Sequence, residues 1–380
     1  MTQPTIDTPL AITGFPGFLA EHLLAELAPR LDAPVHLLAL RSTLDAARRR
    51  LAALERAFPE LAGRCQIHGA DIAEEGLGLD PSIRKELAAQ VGTFWHLAAL
   101  YDLAVPREIA FRVNVQGTAN VLDFLASCPN LERLNYVSTC YVSGTRTGQI
   151  LEDELDLGQR HKNHYEETKF WAEVEVWRRR EEVPSTIFRP SVVVGDSHTG
   201  RTGKYDGPYY IFRLLHRLPE WMPVPRIGSG DAPVNLVPVD FVVQAMANLG
   251  HRSDTLGEVF HLADPHPMGA SQIVDHILKT FGRRPSVGRL PARWVERTLK
   301  NQTLEQWTGV PQEALTYFNH NASFDTTNAD RALSSAGISC PPLPLYLDNL
   351  LHFFLSYPDA PPTDGVPGEP LQTIDRAANH

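Results

Sequence analysis

Cysteine, long apolar runs and excess basic charge are all scarce in this sequence, and each shortage excludes a class of protein. The four cysteines among 380 residues have neither metal-ligand spacing nor the density of a disulfide framework, which favours a reducing cytoplasm. No apolar run approaches the roughly 18 to 20 residues that cross a bilayer, and residues 1–8 are too polar for a signal peptide. With 35 basic against 45 acidic residues, the chain lacks the basic surface of a nucleic-acid-binding protein. We therefore predict a cytoplasmic protein with no transmembrane segment, no nucleic-acid partner and no metal site.

Two common catalytic motifs are missing as well. The sequence has no Gly-x-Ser-x-Gly elbow and no Walker phosphate loop, which argues against serine hydrolases and nucleoside triphosphatases of the usual kinds. Its length exceeds the usual size of a single domain and provides ample material for a core. We expect one large α/β unit with a smaller lobe.

Strands and helices alternate along the first 190 residues, which is typical of a Rossmann-type, doubly wound parallel sheet. Apolar runs predict strands at 10–12, 35–40, 65–70, 93–97, 133–138 and 185–189. Helical spacing predicts helices at 43–58, 83–90, 106–128 and 165–182. We also expect a helix at about 239–249, followed by a strand at 257–262 that returns to the same sheet.

The amino-acid composition changes after about residue 195, where proline, glycine and aromatic residues become frequent. We predict a Rossmann NADP-binding domain over 1–200 with a return segment at about 234–263. A smaller, mostly helical substrate-binding lobe is expected from 201–233 and 264–358, at the carboxyl edge where open α/β sheets bind ligands. We expect residues 359–380 to form a polar tail.

A glycine turn lies between the first strand and the first helix. In Thr13-Gly14-Phe15-Pro16-Gly17-Phe18-Leu19-Ala20, Gly14 can adopt dihedral angles that a side chain forbids, and Gly17 lets the backbone approach a pyrophosphate. The amides and dipole at the following helix start favour an anion. The pattern predicts a dinucleotide site that includes Phe15, Phe18 and Leu19, although an ordinary strand-to-helix turn has the same pattern.

The second strand ends in Arg41, at the position that contacts the adenosine ribose in a dinucleotide fold. An arginine there would pair with a 2′-phosphate, whereas an acidic residue would bind a ribose hydroxyl, so Arg41 favours NADP(H) over NAD(H). A solvated arginine at a strand end is the alternative.

Tyr165 and Lys169 are four residues apart on a predicted helix and therefore share one face. An ammonium beside a phenol would lower the phenol's pKa from about 10 and make it a general acid. Thr139 follows the strand before this helix and is expected at the same sheet edge, where its hydroxyl would be a second hydrogen-bond donor.

These motifs occur in an order that resembles the extended short-chain dehydrogenase/reductase superfamily. The glycine turn, Thr139, Tyr165 and Lys169 all match. Four further segments match as well: Asp71-Ile72, His96-Leu97-Ala98-Ala99, Asn114-Val115-Gln116-Gly117-Thr118 and Arg189-Pro190-Ser191. The resemblance implies that Asp71 and Ile72 contact adenine and that Ala98 lines the cofactor ribose. It also implies cofactor contacts for Asn114, Lys169, Pro190 and Val193.

Within that superfamily the sequence looks most like the fatty acyl-CoA reductase and thioester reductase branch, which is related to male-sterility proteins. The resemblance rests on Gly17-Phe18-Leu19, on 137–142 and on 189–200. It implies an NADPH-dependent oxidoreductase that reduces an acyl thioester of coenzyme A or a carrier protein, or the derived aldehyde, with Tyr165 as general acid. An acyl carrier protein or a homodimer is the expected partner. Two alternatives remain: an epimerase or dehydrogenase of a sugar nucleotide or hydroxysteroid-like alcohol, and a non-catalytic NADP-binding regulator.

Overall fold

The structure is a computed structural model that describes residues 5–101, 105–227, 230–290, 320–362 and Pro367. Its strands, in chain order, are β1 (Leu10–Thr13), β2 (Val35–Ala39), β3 (Cys65–Gly69), β4 (Thr93–His96), β5 (Arg133–Val137), β6 (Gly148–Ile150), β7 (Ser185–Pro190), β8 (Val192–Val194), β9 (Arg226–Ile227), β10 (Leu236–Pro238), β11 (Val259–Leu262), β12 (Arg289–Leu290) and β13 (Ala322–Phe324).

Seven of these strands form a single parallel sheet in the order β11-β7-β5-β4-β1-β2-β3. Strands β1, β2, β4 and β5 are buried along their whole length, because helices cover both faces of the sheet. The chain reverses its direction of travel at β1, which pairs with β2 on one side and β4 on the other. This arrangement leaves a crevice at the carboxyl ends of β1 and β4, where ligands bind in such folds.

The helices are α1 (Phe18–Leu27), α2 (Leu44–Ala57), α3 (Pro81–Gln90), α4 (Arg107–Phe111), α5 (Gly117–Ala126), α6 (His164–Arg178), α7 (Tyr209–Arg217), α8 (Val239–Leu249), α9 (Ala270–Thr280), α10 (Thr327–Ser334) and α11 (Leu347–Ser356). Helices α1, α2 and α8 contribute to one apolar core, and α3, α5 and α6 to a second core. The doubly wound α/β prediction is confirmed by this layering.

A third apolar cluster joins α7, α9 and α11 above the sheet. Three two-stranded parallel pairs, β8 with β10, β9 with β12 and β6 with β13, accompany the large sheet. Helix α10 packs on α8 and β11, so this part of the C-terminal region contacts the sheet layer directly. The predicted division into a nucleotide domain and a substrate lobe stays a prediction, and residues 291–319, 363–366 and 368–380 of the predicted lobe and tail lie outside the described residues.

Several predicted elements differ in their bounds. Helix α3 begins at Pro81, because the Asp80 carboxylate accepts a hydrogen bond from the Ser82 amide and caps the helix. Helix α6 ends at Arg178, four residues before the predicted end, where Arg179 leaves helical geometry. The predicted helix over 106–128 contains a π-helical segment, Arg112–Gln116, between α4 and α5.

Candidate active site

The glycine turn between β1 and α1 is shaped to receive a ligand backbone closely. Gly14 has a φ of +88°, and a Cβ atom there would lie 2.9 Å from the Ala98 amide nitrogen. A Cβ atom at Gly17 would lie 2.6 Å from the Gly14 carbonyl oxygen, which accepts a hydrogen bond from the Gly17 amide. Glycine is therefore required sterically at both positions, and the amides at the start of α1 remain available to an anion, which fits the cradle that a dinucleotide needs.

The three large residues of the turn have different surroundings. Phe15 is buried and packs in the core beneath α1, so only its backbone faces the crevice. Phe18 and Leu19 are partly exposed and line a cavity at the carboxyl edge of the sheet.

This cavity has a volume of about 360 Å³ and collects residues from distant parts of the sequence. All three predicted catalytic residues, Thr139, Tyr165 and Lys169, contribute to its wall. Pro190 and Val193, predicted to pack near a nicotinamide, line it too. The structure thus brings the predicted chemistry and one end of the predicted cofactor site into a single space.

The contact between Tyr165 and Lys169 differs from the one expected. Within the described part of the chain, the Lys169 amine donates hydrogen bonds to the Tyr136 hydroxyl at 2.9 Å and the Val137 carbonyl at 2.8 Å, and not to the phenol of Tyr165. Burial raises the pKa of Tyr165 above its usual value, and the charges of Glu166 and Asp206 add to the increase. The expected lowering of this pKa is therefore wrong, because the lysine bonds to Tyr136 and Val137 of the neighbouring strand instead.

A buried ion pair between Arg189 and Glu173 lies next to the carboxyl end of β5. The Glu173 carboxylate accepts hydrogen bonds from Arg189 Nε and Nη2, the latter at 2.5 Å, and from the Ser138 hydroxyl. Both charged side chains are at most 1% exposed. Because Ser138 precedes Thr139, this pair fixes the backbone that carries a predicted catalytic hydroxyl.

Asn114 lies in the π-helical segment Arg112–Gln116, and Ala98 lies in the loop after β4. The Asn114 side chain is buried, accepts a hydrogen bond from the Leu100 amide at 2.7 Å and donates one to the Thr168 hydroxyl at 2.9 Å. It joins the loop after β4 to α6, and the cofactor contact expected for Asn114 stays a prediction. The Ala98 amide donates to the Thr13 hydroxyl oxygen at 3.1 Å, which places this loop against the glycine turn.

The predicted adenosine end lies at β2 and β3, away from the cavity. Arg41 is exposed and contacts Glu74 at 3.5 Å, and its guanidinium also donates to the Gly78 carbonyl oxygen. The Asp71 carboxylate accepts a hydrogen bond from the Ala73 amide at 2.9 Å, and Ile72 is buried against Gly117. These residues share one rim of the sheet, as a dinucleotide extending from the cavity would require.

Comparison with known proteins identifies the family. The family model described as male sterility protein matches residues 12–246, which is more than half of the chain. The chain belongs to this family.

Some relatives of this chain are much larger proteins. A linear gramicidin synthase chain of Brevibacillus parabrevis is 26% identical over 350 residues, a match that covers 87% of this chain and 7% of that protein. Fatty acyl-CoA reductase 1 of Arabidopsis thaliana is 24% identical, with 58% of this chain and 55% of that protein covered. The chain thus spans little more than half of one of these relatives and a small part of the other.

Among solved structures, the terminal R domain of the myxalamid biosynthetic pathway is similar at 25% identity, with a TM-score of 0.78 and 94% of each chain covered. The predicted membership of the extended short-chain dehydrogenase/reductase superfamily, in its acyl-CoA and thioester reductase branch, is confirmed. The family places the chain among NAD(P)-dependent oxidoreductases.

Three residues at the mouth of the cavity, Tyr101, Lys204 and Asp206, make contacts that the sequence did not predict. The Tyr101 ring meets the Tyr165 ring edge-on, with 4.8 Å between centroids. The Lys204 amine lies 5.8 Å from the Tyr101 ring centroid and 3.7 Å from an Asp206 carboxylate oxygen. Neither loop has a motif that would have revealed these contacts, which form only when the fold brings the loops to the cavity mouth.

The described residues include neither a candidate metal site nor a candidate membrane-spanning helix. No group of three or more His, Cys, Asp and Glu side chains there is arranged to hold a metal ion. In the same residues, no helix has the length and apolar character needed to cross a membrane.

Proposed function

We propose that this protein reduces an acyl thioester to an aldehyde with NADPH, using Tyr165 as the general acid. The observation that carries the proposal is the meeting of Thr139, Tyr165 and Lys169 with Phe18 and Pro190 around one cavity at the carboxyl edge of the sheet. Similarity to a fatty acyl-CoA reductase, whose name gives a coenzyme A thioester as its substrate, supports an acyl thioester as the substrate here.

Bound NADPH would supply the hydride for the thioester carbonyl carbon. Tyr165 and Thr139 then donate hydrogen bonds to the carbonyl oxygen as it gains charge, which stabilises the transition state. Tyr165 transfers its proton to that oxygen and a hemithioacetal forms. Collapse of the hemithioacetal releases a thiol and leaves the aldehyde.

The raised pKa of Tyr165 suits this direction of reaction. Burial and the nearby carboxylates of Glu166 and Asp206 disfavour the phenolate, so the phenol keeps its proton at neutral pH until a negative oxygen develops beside it. In our proposal Lys169 contacts the nicotinamide ribose and, as a cation, stabilises the phenolate that remains.

The substrate would enter beside the β8 and β10 pair. Val192, Val234 and Leu236 give this wall an apolar surface that fits an acyl group, and Lys204 stands exposed among the lining residues. Either coenzyme A or an acyl carrier protein can deliver such a group.

The proposed preference for NADPH rests on Arg41. Its contact with Glu74 is exposed and therefore weak, so a 2′-phosphate with greater charge can displace the carboxylate and take the guanidinium. No acidic residue occupies the strand end at Arg41 itself, where a ribose-binding carboxylate would stand.

The test is NADPH oxidation by the full chain with acyl-CoAs, acyl carrier protein thioesters, aldehydes, ketones and sugar nucleotides. We expect turnover with thioesters and appearance of an aldehyde. Tyr165→Phe should lower kcat by about 10² to 10⁴ with NADPH affinity retained. Tyr346→Phe is the matched control, because it removes a buried tyrosine hydroxyl whose hydrogen bond, among the residues that the structure describes, goes to the Leu236 carbonyl. Turnover confined to sugar nucleotides or ketones would refute the thioester proposal, and tight NADPH binding without turnover would favour a regulator.

A further inference from the structure

The amine of Lys169 is held inside the protein by a partner that the proposed mechanism does not use. Lys169 is 3% exposed, and its Nζ atom lies 2.9 Å from the Tyr136 hydroxyl and 4.5 Å from the centre of the Tyr136 ring. Tyr136 itself is fully buried in β5. The Val137 carbonyl oxygen accepts the second hydrogen bond of the amine.

Beyond Tyr136 the hydrogen bonds continue through the interior. The Thr118 side chain interacts with the Tyr136 hydroxyl, and the Thr118 hydroxyl oxygen lies 3.2 Å from His96 Nε2. His96 Nδ1 lies 2.8 Å from the hydroxyl oxygen of Thr13, the residue immediately before the glycine turn. All of these side chains are at most 3% exposed.

The donors and acceptors of this chain follow a single direction. Thr118 donates its proton to the Asn114 carbonyl at 2.6 Å, so its oxygen must accept from Tyr136 and from His96 Nε2. Thr13 Oγ1 accepts from the amides of residues 97 and 98, so its own proton goes to His96 Nδ1. An ammonium has no lone pair, so the Lys169 amine donates and the Tyr136 hydroxyl oxygen accepts.

We propose that Tyr136 is a positioning residue that holds the Lys169 amine in place, favours its charged form and ties it through Thr118 and His96 to the glycine turn. This inference uses the proposed function only in assuming that the Lys169 amine contacts the cofactor. A hydroxyl oxygen that can only accept stabilises an ammonium more than a neutral amine.

The other groups facing the amine act on the same proton. On α6, Glu173 attracts it and Tyr165 lies four residues before it, while Arg189 of β7 is engaged by Glu173. His96 of β4 is kept neutral, because burial and the charge of Lys169 lower its pKa to about 3. Burial also lowers the pKa of Lys169 to about 7, with Glu173 opposing the decrease, so a change at Tyr136 is measurable near neutral pH.

The direct test is the titration of the Lys169 amine by nuclear magnetic resonance in full-length protein with ¹³C-labelled lysine. The sequence contains six lysines, and Lys169→Met identifies the signal. Tyr136→Phe should lower the midpoint by about one pH unit, since one acceptor is lost while the Val137 carbonyl and Glu173 remain. Thr118→Val, one step further along, should move the midpoint in the same direction and serves if Tyr136→Phe does not fold. Tyr346→Phe should leave it unchanged.

A titration of Tyr136→Phe or Thr118→Val that superimposes on the wild-type curve would overturn the inference. A second measurement uses NADPH fluorescence: Tyr136→Phe should weaken binding about 10-fold at pH 8 and less at pH 6, where Lys169 regains its proton. A loss of equal size at both pH values would indicate a structural role only. If the wild type binds no NADPH, the proposed function fails while the titration still decides the role of Tyr136.

Discussion

Glu173→Gln tests whether the buried ion pair between Glu173 and Arg189 supports the fold. The substitution keeps the shape of the side chain but leaves the Arg189 guanidinium, 1% exposed, without its anion. Removing one partner of such a pair costs about 3–5 kcal/mol, because the remaining charge stays buried and uncompensated. The Ser138 hydroxyl also loses a charged acceptor.

A matched control lies two residues further along the same helix. Glu175 contacts Arg178 at 2.9 Å at the surface, with side chains 30% and 62% exposed, so Glu175→Gln should cost no more than about 1 kcal/mol. Urea unfolding followed by circular dichroism and tryptophan fluorescence measures both variants. We expect Glu173→Gln to lower the midpoint by on the order of 1 M and Glu175→Gln to change it little. Equal midpoints for the two variants would refute the reasoning from burial.

Three further predictions concern the cofactor and the lysine. Gly17→Ala should weaken NADPH binding by about 10-fold or more, as expected for a lost phosphate contact, because the new Cβ would lie 2.6 Å from the Gly14 carbonyl oxygen; fluorescence titration measures it, and unchanged affinity would contradict the cradle. Arg41→Ala should lower kcat/KM for NADPH about 10-fold and leave NADH nearly unaffected, and equal losses for both would remove the basis for the NADPH preference. Lys169→Met should abolish reduction and alter the pH dependence of stability. The pKa of Lys169 in the folded protein, about 7, lies below the usual 10.5, so the wild type gains stability as pH rises from 7 to 10.5. The variant should lack this rise in the urea midpoint.

The parts of the fold with strong local patterns could be predicted from sequence. The buried runs of β1, β2 and β5 and the helix α8 lie where apolar periodicity placed them. The short strands β6, β8, β10 and β13 were missed. Each has three residues and pairs with a segment far along the chain, so the local sequence carries no period to detect.

In the candidate site, too, features with a local sequence pattern were predicted and long-range contacts were missed. Four-residue spacing correctly put Tyr165 and Lys169 on one helix face, and strand order put Thr139 at the same sheet edge. The actual partner of Lys169 was missed, because Tyr136 precedes it by 33 residues and meets it only after β5 and α6 pack together. Asn114 shows the same limit: its bond to Thr168 joins residues 54 apart, which no local pattern records.

Placing a lysine, a glutamate and an arginine beneath an apolar cavity has an electrostatic consequence for the proposed reaction. The charges of Glu173 and Arg189 neutralise each other by direct contact, which leaves Lys169 as a cation whose proton depends on hydrogen-bond acceptors and on Glu173. Tyr165, surrounded by apolar walls and two carboxylates, resists ionisation until the substrate oxygen becomes negative. An acid that holds its proton and a cation that stabilises the resulting phenolate together favour addition of a hydride over its removal. The proposed mechanism therefore favours reduction, and we expect thioester reduction to outpace aldehyde oxidation by the same protein at neutral pH, as paired forward and reverse assays would measure.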